Sequence, residues 1–140
     1  MANPRVLQIG IDPEVVDFSP WPGQDAAALN RRIDDATTAL GDAGFDVTIC
    51  LLDGDPRTAE SALREKFAGR VFDVVEIGAG IRTSEAHTVL FETVVNAVNA
   101  LQPGVPFCFN DSPETTLHAV RRILANPRGG SPAVGSERLG

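Results

Sequence analysis

The residue types best suited to chemistry stand just after apolar runs: Gly10 and Asp12; Asp53, Gly54 and Asp55; Gly78, Gly80 and Arg82; and Asn110, Asp111 and Ser112. In an open α/β sheet such positions fall on one rim, and ligands bind outside the carboxyl ends of the strands where the strand order reverses. The richest cluster is GAGIRTS, residues 78–84. Gly78 and Gly80 let the backbone approach a ligand, Thr83 and Ser84 supply hydroxyls, and Arg82 supplies a bidentate fork for phosphate or carboxylate. A helix expected to start at Ser84 would add unpaired N–H groups and a partial positive charge. His87, three residues beyond Ser84, shares that helix's first-turn face and is one candidate acid–base group. Asp12 is the other. Asn110 would orient a ligand through its amide.

Several familiar chemistries do not fit. The glycines of 78–83 fall short of a dinucleotide fingerprint, which needs glycine where Thr83 stands and normally follows the first strand. No Gly-Lys-Ser/Thr triplet supplies a phosphate-binding loop. Asp12, Asp53 and Asp55 resemble the acidic magnesium pocket of response-regulator receivers, but the third strand ends in Ile77 and Gly78 where that family needs an aspartate. Asp55 reads more simply as a helix cap, as do Asp111 and Ser112. Asp12, Glu14 and Asp17 could serve a metal-dependent hydrolase, although their spacing matches no metal motif and no metal ligand set is assigned.

Four apolar runs must position these residues: Arg5 to Ile11, Phe45 to Leu52, Val71 to Ile77 and Val105 to Phe109. They are short and rich in Val, Ile and Phe, as strands covered on both faces tend to be. Between and after them the period becomes helical. Leu29, Ile33, Ala36 and Leu40 mark a helix over about 25–43, with Gly44 as its left-handed cap. Ala59, Leu63 and Phe67 mark a second, opening at Pro56 and ending at Gly69. Ala86, Leu90, Val94, Ala97 and Leu101 mark a third over 84–101, and Leu117, Val120 and Leu124 a fourth over 113–125. Alternating β and α elements predict an α/β three-layer sandwich: a four-stranded parallel sheet of order 2-1-3-4 with helices on both faces. The reversal then lies between strands one and three. There loop 12–24, long for its kind and carrying Trp21, faces loop 78–84.

The chain of 140 residues is expected to form one Rossmann-like domain over 1–127, with a disordered Gly- and Ser-rich tail over 128–140. A net charge of −7, with 19 acidic against 12 basic residues, argues against nucleic acid as a partner. No apolar run of about 18 residues is present, so no membrane span is expected. The N-terminus enters a strand pattern without a signal peptide's apolar region, so a cytoplasmic location is expected. Cys50 and Cys108 lie inside strands at opposite edges of the expected sheet, too far apart for a disulfide. Neither stands at a helix N-terminus where a thiolate is stabilised, so neither is placed as a nucleophile.

The stretches GIDPEVVDF, EIGAGIR, LFETVVNAVNA and FCFNDSPETT together resemble a group of short, uncharacterised bacterial proteins of Rossmann-like or flavodoxin-like fold, over most of residues 5–124. The resemblance implies the fold, and implies that Asp12, the Gly78–Arg82 loop and Asn110 belong to one feature. It carries no activity, substrate or cofactor. The resulting expectation is a small protein that binds an anionic, phosphate- or carboxylate-bearing molecule at the carboxyl ends of strands one and three. Gly10, Asp12, Gly78, Gly80, Arg82, Thr83, Ser84 and Asn110 would form the site. An enzyme would use His87 or Asp12 for proton transfer; a sensor would only bind. The alternative from a different class is a non-catalytic interaction or regulatory protein. The third helix carries a second apolar face, Phe91, Val95 and Val98, suited to a homodimer.

Overall fold

The computed structural model describes residues 2–124, so the expected tail at 128–140 lies outside the described residues. Strands β1 (Arg5–Ile11), β2 (Asp46–Leu52), β3 (Val74–Ile77) and β4 (Phe107–Phe109) form one sheet of order β2-β1-β3-β4. Every pair is parallel. Five helices accompany them: α1 (Ala26–Asp42), α2 (Pro56–Phe67), α3 (Ala79–Arg82), α4 (Thr88–Leu101) and α5 (Thr116–Leu124).

Strand alternation divides the core between the two faces. Leu7, Ile9, Val75 and Ile77 pack with Leu63, Leu90 and Val94 of α2 and α4. Val6, Val74 and Cys108 face the other way and pack with Leu40 of α1 and Ala119 and Val120 of α5. Both cysteines are free and buried. The sheet is therefore covered on both faces among the described residues.

Local chemistry sets most boundaries. Asp25 caps α1 by accepting the Ala28 N–H at 2.8 Å, and Gly44 follows at φ +98°. Asp55 caps α2 by accepting the Arg57 N–H at 2.8 Å, with Pro56 in the first turn. The third strand is shorter than the apolar run predicts, because Phe72 gives its N–H to Gln102 Oε1 at 2.9 Å and accepts from Gln102 Nε2 at 2.7 Å. A side-chain amide thus occupies the place of a neighbouring strand.

The third helix departs most from expectation. Instead of one helix from Ser84, the chain forms α3, a tight turn over Glu85–His87, and then α4 from Thr88. Ser84 is extended (φ −93°, ψ 124°) and its hydroxyl caps nothing. Thr83 closes α3 instead, its backbone N–H and its hydroxyl both donating to Ala79 O, at 2.8 and 2.7 Å. The expected anion-binding helix terminus at Ser84 is therefore absent.

Candidate active site in the β1/β3 crevice

A cavity of about 650 Å³ opens at the carboxyl ends of β1 and β3. Val15, Val16, Phe18 and Trp21 of the loop after β1 form one wall, and Leu29 and Ile33 of α1 continue it. Gly10, Gly78, Gly80, Thr83, Ser84, His87 and Asn110 all line it, as expected. Glycine at position 78 is explained by closeness, since a Cβ there would meet Ile9 O at 3.4 Å. At Gly10 a Cβ would make only ordinary contact, 3.5 Å from Leu51 Cδ2.

Two expected site residues lie elsewhere. Asp12 does not line the cavity; its carboxylate accepts the Glu14 N–H at 3.0 Å and starts the tight turn over Pro13–Val15. Arg82 does not line it either. Its guanidinium donates through Nη2 to Asn110 O and lies over the Phe109 ring, 5.5 Å from the centroid, while its buried Nε finds no partner. Once the helix breaks at Thr83, Arg82 closes a four-residue turn and points to the β4 side instead of the crevice. It braces Asn110 from behind.

Asn110, only 6% exposed, is fully engaged by the fold. Its Oδ1 accepts the Ala79 N–H at 2.8 Å, and its Nδ2 donates to Thr116 Oγ1 at 2.9 Å. The amide joins the loop after β3 to the start of α5. His87 Nδ1 lies 3.0 Å from Gly80 O. A carbonyl can only accept, so Nδ1 carries the hydrogen and, in the neutral ring, Nε2 is the free acceptor.

The acidic loop does not assemble a metal centre. Asp17 is held by the Ser19 N–H at 3.0 Å and by the Ser19 hydroxyl, which keep its carboxyl below the usual range. Among the described residues no three His, Cys, Asp or Glu side chains gather around a metal-sized site.

The floor of the cavity holds a group the sequence reading passed over. Glu76 sits in the middle of the sheet, 1% exposed, paired in register with Gln8 of β1 and Cys108 of β4. Both Glu76 and Gln8 line the cavity. Glu76 Oε2 has no hydrogen-bond partner, and none of the ion pairs among the described residues includes this carboxyl. Burial pushes it up to about 8, against the weaker opposing pull of the Asn110 N–H and the Arg82 charge. At neutral pH it is a carboxylic acid, a donor as well as an acceptor. The available signal was a single acid inside the otherwise apolar segment VVEI, matched by a single amide inside VLQIGI. Cys108 beside it is inert: burial, reinforced by Glu76, pushes the thiol up to about 12.

Arg32 also lines the cavity, but Glu114 takes its guanidinium in a bidentate pair, both bonds 2.7 Å, which holds the Glu114 carboxyl down to about 2. No helix among the described residues is long and apolar enough to cross a membrane. No protein-family model and no curated protein matches this chain.

Proposed function

We propose that this protein binds a small molecule with an apolar body and an anionic head, a carboxylate or phosphate, in the crevice between β1 and β3. The observation that carries this reading is the cavity itself. Its walls are largely aliphatic and aromatic, and among them stand two polar groups, Gln8 and Glu76, at the point where strand order reverses. Arg82 supports the anionic class from a second layer. It has no carboxylate partner among the described residues, and it stands directly behind Asn110. With Glu76 protonated, the region carries an uncompensated positive charge that a bound anion would balance. Any proton transfer would fall to Glu76 and to His87 Nε2, the two titratable groups of the cavity not already tied up by an ion pair or a local cap. No cofactor is assigned.

The test is a thermal-shift screen against small carboxylates, phosphates and nucleotides, repeated on Gly10→Val. That substitution favours the strand but fills the cavity next to Leu51. Ligand at about a hundred times its Kd adds roughly 2.7 kcal/mol and raises Tm by a few degrees in a domain of this size. The expected result is a shift for some anions in the wild type that Gly10→Val abolishes. A wild type indifferent to the whole panel sinks the proposal.

A further inference from the structure

Glu76 is a buried titratable group of the cavity with one oxygen, Oε2, left without a partner, while the Asn110 N–H bonds to the carboxyl. From β1 it faces the neutral Gln8, and from β4 the protonated thiol of Cys108. From α5 the Thr116 hydroxyl lines the same cavity, already engaged by Asn110 and Pro113 O. The charged group that acts on it is Arg82 of α3, behind Asn110, while Arg32 of α1, bound to Glu114, lines the same cavity. His87 lines the same cavity on the opposite side. A buried polar atom left without a partner costs about 1–3 kcal/mol, which a ligand group bonded to Oε2 would recover.

Resting on the binding reading above, we infer that Glu76 keeps its proton and donates it to the ligand's head group, so that the site takes organic carboxylates with an apolar body as acid–carboxylate pairs. Glu76 Oε2 supplies the O–H, the ligand carboxylate accepts it, and one proton is shared between two carboxyls in a charge-assisted bond. The single negative charge of the pair feels the field of Arg82, which lies behind Asn110. A phosphate dianion would bring a second negative charge to a floor holding one proton. A cationic ligand would instead expel the proton and put an ion pair in its place.

Four probes with one phenyl body separate these cases: phenylacetate, phenyl phosphate, phenylacetamide and 2-phenylethylamine. Binding is followed by Trp21 emission, the only tryptophan of the chain and part of the cavity wall, and by calorimetry between pH 6 and 9.5. Phenylacetate is expected to bind tightest. Its affinity should hold below the Glu76 value of about 8 and fall by about tenfold per pH unit above it. At pH 9, calorimetry in two non-phosphate buffers of different ionisation heat should show uptake approaching one proton. Glu76→Gln should still bind phenylacetate but lose the slope, whereas His87→Gln should keep it. A wild-type affinity that is flat with pH, or an amine bound more tightly as pH rises, overturns the shared proton while leaving a binding site in place. Phenyl phosphate bound in preference to phenylacetate overturns the carboxylate assignment alone. Failure of all four probes, together with a blank anion screen, removes the binding reading and this inference with it.

Discussion

Glu76 is also a stability residue, and its sign is unfavourable. The carboxyl titrates at about 8 in the folded chain against an ordinary value of 4.5, so the folded state holds a proton that the unfolded state releases first. Its contribution is therefore best below pH 4.5 and is lost progressively as pH rises to 8. The full cost, reached above pH 8, is about 5 kcal/mol from the size of that displacement. Glu76→Gln should accordingly be more stable than wild type at pH 9, by a few kcal/mol in urea titration, and nearly equal to it at pH 4. An unchanged difference between the two pH values would show that the carboxyl is solvated or paired. Asn110 behaves oppositely. Asn110→Ala strands the Ala79 N–H and removes the link to Thr116, and should cost about 2–3 kcal/mol at any pH. Neither role was legible in the sequence. Glu76 sits in a run whose apolar neighbours mark a buried strand, and acids are almost never fully buried, so nothing local announces that this one faces a cavity. The direction of Arg82 depends on where the preceding helix breaks, which spacing alone does not set.

Among the elements, sequence and structure agree wherever a residue's own chemistry forces the outcome. Asp25, Pro56 and Gly44 bound their helices because each performs a backbone task that few residues can perform, and the apolar runs become strands because both sheet faces are buried. The order β2-β1-β3-β4 follows from alternation and crossover handedness, and with it the position of the crevice. Where tertiary partners decide, the periodicity misleads. The third helical run keeps its apolar stripe through Ala86, yet Thr83 and His87 bond back to Ala79 O and Gly80 O, so that α3 forms ahead of it, Glu85–His87 becomes a tight turn, and α4 starts only at Thr88. This contrast is measurable. Asp25→Ala should lower stability by about 1 kcal/mol through loss of the α1 cap. Ser84→Ala, at a position where the expected helix was to start but whose hydroxyl caps nothing, should change it by no more than about 0.5 kcal/mol. Equal losses in urea titration would mean that α4 reaches back to Ser84 in solution.

At the scale of the molecule, the exposed large apolar residues fall into two sets. Val71, Val89 and Ile123 are scattered singly, as on any soluble surface. Val15, Trp21 and Leu51 instead gather around the cavity, with Trp21 57% exposed, so that apolar surface left open by folding is concentrated where a ligand would cover it. Of the second apolar face of α4, expected as a homodimer surface, Val98 is spent inside the monomer while Phe91 and Val95 stay partly exposed. Val98 is 0% exposed in the core and cannot touch a partner. Phe91 packs edge-on against Phe109 at 6.4 Å, and Phe109 stacks on Phe107 at 6.5 Å, so the short β4 strand supplies part of the cover that α4 seemed to lack. Its closeness could not be read from a stripe on the helix alone, because β4 contributes only three residues. Sedimentation equilibrium should therefore find one species of 14.8 kDa. Val98→Asp should unfold the chain, since it places a charge among Leu90, Val94 and the sheet. A folded Val98→Asp monomer derived from a wild-type dimer would restore α4 as an interface, and with it the interaction-protein reading of this chain.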